Sequence, residues 1–518
     1  MRLGEILLAR GLVSAADIEE AARRQKTKGG RLGDNLIGLG VVTREQLDEV
    51  MHETPKAPKS LEDTGVSQAL LSSLLLKFMY IEQRETIAEL MPALKLPYNV
   101  VKQLFEDVAA RELVQILGAT GGSGAVAIGE VRYSLTQRGR DAATEALERN
   151  LYVGPAPVSL AAFQEQIVKQ RITNESLDES DIRGCFQGLV IPGEFLRKIG
   201  PAINAGRTIL LYGPPGNGKT AIATRVADIF KHVIYMPYCL EVEGQIIQIY
   251  DQSVHLSAVE EHDSSLAVET PGIRREEFDQ RWLAIRRPTV VVGGELSLEM
   301  LDMSFSDTSR FYEAPMHIKA LGGTFIVDDF GRQLISPEAL LNRWIVPMES
   351  RIDFFKLQTG KSFYLPFDEL LIFSTNLEPD DLMDPAFLRR IPYKIELFEP
   401  SREIFHMIFK AVAATENLEL TDEIYEYVIA QLQVKNNYHL AYYQPKFICD
   451  QVVAACKYEG TPPSFTAERV ADALKNLYVH IETEEAEFHE TRPAPVAAQA
   501  ADGEPEPSDP APAMAPLT

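Results

Sequence analysis

Gly213-Pro-Pro-Gly-Asn-Gly-Lys-Thr220 is a complete G-x-x-x-x-G-K-[ST] loop, and its flanks decide the fold. Ahead of it, Arg207-Thr-Ile-Leu-Leu-Tyr212 is a short apolar, β-branched stretch of strand type. Behind it, Ala221-Ile-Ala-Thr-Arg-Val-Ala-Asp-Ile-Phe230 is apolar at helical spacing. Strand, glycine loop, helix is the order that polyphosphate binding requires. Gly213, Gly216 and Gly218 let consecutive backbone N–H groups converge, with Pro214, Pro215 and Asn217 completing the loop. The helix N-terminus adds its partial positive charge. Lys219 is placed to reach β and γ oxygens, and the Thr220 hydroxyl to hold Mg²⁺. The expected ligand is a nucleoside triphosphate, ATP.

Further along, Gly323-Thr-Phe-Ile-Val-Asp-Asp329 reads as a hydrophobic strand ending in two carboxylates. Asp328 is expected to orient the Mg²⁺ water shell and Asp329 to polarise the attacking water. Leu370-Leu-Ile-Phe-Ser-Thr-Asn376 is a second apolar strand, ending in an amide that can hold that water. Asp384-Pro-Ala-Phe-Leu-Arg-Arg390 then sets two adjacent guanidiniums after a short helix, and Gln444-Pro-Lys-Phe447 opens a later one.

These motifs, in this order over about residues 185–480, resemble the AAA+ superfamily. The resemblance implies a P-loop α/β core at 185–399 and an α-helical lid at 400–482. It makes Asn376 the sensor 1 residue, Arg389 or Arg390 the finger that completes a neighbour's site, and Lys446 the sensor 2 candidate. It also implies ATP hydrolysis in a ring, typically a hexamer, that remodels or assembles a client protein in a chaperone-like way. Two positions depart from the pattern. Asp329 stands where Glu is usual, one methylene shorter, and Lys446 replaces Arg, which alone grips phosphate as a planar fork. Arg351 to Leu365, turning at Thr359-Gly-Lys361, resembles the pre-sensor-1 hairpin of MoxR-type ATPases and enhancer-binding activators. The Gly-Ala-Phe-Thr-Gly-Ala loop of those activators is absent from the sequence, which counts against transcription activation. The long interval from Lys219 to Asp328, with acidic Glu260 to Ser265 and the strand-like Thr289-Val-Val-Val292, suggests an insertion.

The N-terminus carries a repeat. Arg2-Leu-Gly-Glu-Ile-Leu7 recurs as Arg31-Leu-Gly-Asp-Asn-Leu36, an offset of 29, and Gly11 and Ile18 find Gly40 and Leu47. Each copy reads as helix, glycine break, helix, with Ser14-x-x-Asp17 and Thr43-x-x-Gln46 as capping boxes. The spacing R-L-G-x-x-L-x-x-x-G-x-x-x-x-x-x-L-x-x-x-L-x-x-Q over residues 1–57 resembles the MshE-type N-terminal domain of type II secretion and type IV pilus ATPases. That domain binds cyclic di-GMP. The matching positions are Arg2, Leu3, Gly4, Leu7, Gly11 and Gln25 in copy one, and Arg31, Leu32, Gly33, Leu36 and Gly40 in copy two. Ala22 departs from the pattern, as does Thr54, which takes the place of the second Gln. A docking module without nucleotide is the plainer reading.

Residues 66–150 read as three helices (Val66–Tyr80, Glu82–Leu90, Tyr98–Arg111), a two-stranded wing and a last helix from Thr136, an order resembling a winged helix. Its third helix offers a lone Lys102 beside Glu106, Asp107 and Glu112, which argues against duplex DNA. Residues 151–184 read as a linker into the motor. The net charge of −24 includes the 483–518 tail, whose eight acids face the single Arg492. That Pro- and Ala-rich tail cannot bury enough surface to fold. Four scattered cysteines without C-x-x-C fit a reducing, cytoplasmic setting, and no stretch reaches membrane-spanning length. The expectation is a multidomain ATPase with an unknown client and a cyclic di-GMP link to pilus or secretion machinery. A DNA-bound regulator and an ATP-gated scaffold with little turnover are the alternatives.

Overall fold

The computed structural model describes residues 3–29, 31–120, 130–258, 278–435 and 438–478. The expected acidic loop at 260–265, the acidic tail and Arg2 lie outside them. The chain divides into two compact units, Met1–Ile404 with Ala441–Tyr443, and Phe405–Leu440 with Gln444–Thr518.

Five strands form the sheet that carries the glycine loop: β1 (Ile209–Tyr212), β2 (Thr289–Val292), β3 (Thr324–Val327), β4 (Leu370–Thr375) and β5 (Tyr393–Glu396). All pairings are parallel, in the order β5-β1-β4-β3-β2. β1, β3 and β4 are apolar nearly throughout because both faces are covered. On one face Ile209, Leu211, Ile326 and Ile372 pack with Ile199 and Ile203 of helix Gly193–Asn204 and Ile222 and Val226 of helix Lys219–Ala227. On the other, Leu210, Phe325, Leu371 and Phe373 meet Leu340, Leu341 and Trp344 of helix Pro337–Ser350. Parallel strands deliver all their C-terminal ends to one edge, where ligands of such sheets bind.

Thr289-Val-Val-Val292 is therefore no part of an insertion; it is the edge strand of the core sheet. The inserted structure is drawn from both sides of it in the chain. Ile234–Pro237 pairs with Trp282–Ile285, and a five-stranded mixed sheet runs Ser304–Phe305, Tyr312–Glu313, Gln245–Gln248, Cys239–Val242, Val158–Ser159. Its last strand comes from the interval expected to be a linker, and that expectation is corrected. Ser159 caps helix Leu160–Lys169, and Val158, Phe163 and Ile167 are fully buried in the inserted module. The prolines that open the interval suggested a spacer, but its apolar positions are core. The hairpin Ile352–Lys356/Ser362–Pro366 forms and lays Phe355, Phe363 and Leu365 into the same core.

The middle segment has helices Gln68–Ile81, Ile87–Leu94 and Tyr98–Ala110, a ribbon of Val114–Thr120 with Glu130–Leu135, and helix Gln137–Arg149. Its second helix starts five residues later than the expected Glu82. Gln83 takes a left-handed φ of 53°, and Thr86 with Glu89 forms the capping box. The cations near the ribbon are matched by acids: Lys102 by Glu106, Arg132 by Glu85 and Arg138 by Glu112.

The repeat folds as helices Leu3–Ala9, Ala15–Lys28, Leu32–Gly38 and Arg44–Glu53, and both capping boxes form. Gly11 and Gly40 end the first helix of each copy at φ 68° and 74°. Thr54, where copy two departs from the pattern, is 3% exposed. Its hydroxyl donates to the Val50 carbonyl at 2.6 Å and lies 3.0 Å from the Tyr235 hydroxyl. Beside it, Gln166 donates to the Glu53 carbonyl at 2.7 Å and Phe278 enters the repeat's core. The repeat is thus mounted on the inserted module. Thr54→Gln must force a longer side chain into this seam, with an expected loss of about 1–3 kcal/mol in denaturant unfolding.

Candidate nucleotide site

β1 ends at Tyr212 and the chain turns at Gly213, whose φ of 134° and lack of a side chain let it lie against the Leu397 carbonyl. Gly216, at φ 79°, lies under the Tyr443 ring, which a side chain there would strike. Lys219 is 6% exposed, and its ammonium donates to the carbonyls of Gly213 at 2.9 Å and Pro214 at 2.8 Å. Burial lowers its pKa, while Asp329 and Asp328 pull it back toward the charged form. Asn217 is buried; its Nδ2 reaches the Leu397 carbonyl at 3.4 Å and its Oδ1 has no protein partner. Helix Lys219–Ala227 starts from Gly218, so its first amides point into the loop.

The two carboxylates at the end of β3 face different surroundings. Asp328 accepts from the Thr220 hydroxyl at 3.0 and 2.9 Å and from the Ser374 hydroxyl at 2.7 Å. Asp329 is exposed, takes a left-handed φ of 49°, and accepts from Asn376 Nδ2 at 3.1 Å. The end of β1, the end of β3 and the end of β4 therefore meet at one edge. A hydroxyl and a carboxylate side by side are the hard oxygen donors that suit Mg²⁺, so Thr220 and Asp328 fit the ion. The loop amides and the Lys219 ammonium are the donors that a polyphosphate beside them would need.

The adjacent arginines differ. Arg390 donates to Glu349 at 2.6 Å and to the Ala386 carbonyl at 2.9 Å, and lies over the Phe387 ring. Arg389 is exposed. Lys446 lies in the second unit, where it pairs with Asp450 at 2.9 Å. Of the candidate positions in the repeat, Leu3, Leu7 and Leu36 are buried core. A side chain at Gly33 would strike Leu47, whereas a Cβ at Gly4 would make ordinary contacts with Ile18 and Leu32. Leu32 packs partly buried on the same cluster, and Arg31 is exposed.

Three residues at the site escape motif reading. Ser374 lies two before Asn376 and so shares its face of β4, a signal that strand alternation carries. Tyr443 covers Gly216 from more than 200 residues away, and Gln333 bonds backward into the acidic turn. Neither has a local sequence signature.

A sequence family described as a domain of unknown function (DUF8689) matches residues 401–476. No curated protein matches the chain. Among solved structures, NtrX from Brucella abortus is similar at 13% identity and a TM-score of 0.35, covering 67% of this chain and 64% of its own. The chain thus spans under two thirds of NtrX. RuvB from Thermotoga maritima, a Holliday junction branch migration motor, is similar at 15% identity and a TM-score of 0.30, covering 62% of this chain and 72% of its own. Superpositions this loose fix neither reaction nor partner.

Proposed function

We propose that this chain is an ATP hydrolase of the AAA+ class that drives the remodelling or assembly of a protein partner. One observation carries the reading. A buried loop lysine, a Thr–Asp–Ser cluster suited to Mg²⁺, and an Asn-held carboxylate lie together at the C-terminal edge of a parallel sheet. When bound, Mg²⁺ would be held by Thr220 and Asp328 and would offset charge on the phosphate oxygens. Lys219 and the loop amides bind and orient the phosphates. Asp329 takes the proton of the attacking water, and Asn376 orients both carboxylate and water. Asp329 is shorter than Glu and reaches the water position with help from its left-handed backbone.

Arg389, free of the anchors that hold Arg390, is the better trans-acting finger, and Lys446 is the proposed sensor 2. For the repeat, the buried Thr54 seam favours a docking and regulatory module. Cyclic di-GMP, suggested by the repeated pattern, is its proposed ligand, with exposed Arg31 contacting a guanine. The tie to pilus or secretion machinery belongs to the same proposal.

Lys219→Ala should weaken ATP binding by about tenfold to a hundredfold or more in a nucleotide titration, since charge-assisted contacts are lost. Asp329→Asn should keep ATP and lose about a hundredfold or more in kcat. Parent turnover in Asp329→Asn rules out the assigned base. Mixing Arg389→Ala with Asp329→Asn protein should restore part of the lost activity, whereas Arg390→Ala should chiefly lower Tm. ATPase activity independent of protein concentration in a strict monomer excludes the trans finger. Calorimetry of the full chain with cyclic di-GMP should show binding that Arg31→Ala weakens about tenfold or more; absence of heat at tens of micromolar leaves a docking module.

A further inference from the structure

We infer that Gln333 is a positioning residue for hydrolysis: it holds the backbone of Asp329 in the left-handed conformation that presents the carboxylate. The inference rests on the reading of Asp329 as the group that receives the water's proton. A non-glycine residue at a φ of 49° is disfavoured and persists only where its surroundings impose it. Here the surroundings converge on one side chain. Gln333 Nε2 donates to the carbonyls of Asp328 at 2.8 Å and Asp329 at 3.1 Å, and its Oε1 accepts from the Gly331 amide at 2.8 Å. The two ends of the amide are distinguished by their partners, because only the nitrogen can donate to carbonyls.

The clamp closes a turn already tied to β4. Phe330 N–H donates to the Ser374 carbonyl at 2.6 Å, and the Thr375 hydroxyl to the Phe330 carbonyl at 2.7 Å. Gly331, at φ 104°, lets Leu377 and Leu382 close on the turn where a side chain would strike them. The Asp329 carbonyl also accepts from the Arg332 amide at 3.0 Å, and Gln333 ties it to the neighbouring Asp328 carbonyl at the mouth of the site. Fixing both restricts Asp329 to the side of the turn where Asn376 meets it at 3.1 Å. Gln333 touches neither Lys219 nor Thr220, and the Asp328 carboxylate is held by Thr220 and Ser374 rather than by Gln333, so the binding of nucleotide should not depend on it.

The experiment is steady-state hydrolysis by the full chain for Gln333→Ala, Gln333→Glu and, as control, Asp329→Asn, together with ATP affinity by titration. Gln333→Ala should lower kcat by about tenfold to a hundredfold, the cost of a misplaced reacting group, with KM and ATP affinity within about twofold of the parent. Gln333→Glu keeps an acceptor for the Gly331 amide but turns a carboxylate toward two carbonyls. Its kcat should fall at least as far as that of Gln333→Ala, again with ATP affinity within about twofold of the parent. A Gln333→Ala protein at parent kcat, beside an inactive Asp329→Asn, overturns the inference and leaves the base assignment standing. Loss of ATP affinity in parallel with kcat, or a Gln333→Glu protein at parent kcat, also overturns it. Parent turnover in Asp329→Asn overturns the base assignment on which it rests.

Discussion

Asp328 is the residue on which the rest of the site depends. Its amide donates to the Val292 carbonyl at the end of β2, at 2.8 Å. Its carboxylate accepts from Thr220 behind the glycine loop and from Ser374 near the end of β4. One residue thus ties together elements fed by four neighbouring strands of the sheet. A charged acceptor bonded to two hydroxyls forms stronger hydrogen bonds than neutral pairs do. The parallel sheet makes the tie possible, since it brings every strand to the same edge in the same direction. Once Asp328 is set, Asp329 follows, and the turn beyond it determines where its carboxylate points.

The opposite end of the sheet is anchored by buried charge. Arg287, 8% exposed, donates to the Gly322 carbonyl just before β3, to the Gln170 carbonyl at 3.1 Å and to Glu175 at 3.2 Å. Asp368, just before β4, accepts from the Ile172 amide at 3.1 Å. Next to it, Glu369 is buried with neither carboxylate oxygen partnered, and burial raises its pKa well above the usual range. Asp353, at the root of the hairpin, accepts from Arg343 at 2.6 Å and pairs with His317 at 2.8 Å. Breaking one member of such a set leaves a buried charge alone, which is far costlier than the pair is stabilising. The hairpin root is therefore locked to helix Pro337–Ser350, the helix that follows the acidic turn. Its outer aromatics, Phe354 and Tyr364, stay 61% and 46% exposed.

Much of the site was legible in the sequence because its chemistry is local. A glycine loop between an apolar strand and an amphipathic helix can be read from eight residues and their flanks. So can a carboxylate pair or an amide at the end of a buried strand. The same reading went wrong where composition misled it. The prolines of 151–184 suggested a spacer, yet Val158, Phe163 and Ile167 are buried. Thr289-Val-Val-Val292 has the composition of any strand, and nothing local tells which sheet it will join.

By itself the sequence determined the glycine loop, the acidic pair, the amide that follows β4 and the helical repeat, since each depends on spacing along one or two elements. Tertiary structure alone decided which arginine is anchored, because Glu349 and Arg390 are brought together across 41 residues. It also decided that Thr54 faces Tyr235, 181 residues away, and that Gln333 closes the turn behind Asp329. It showed as well that the repeat's Gly33 makes room for Leu47. Such partners are selected by how layers pack, and a chain read residue by residue carries no distance between them.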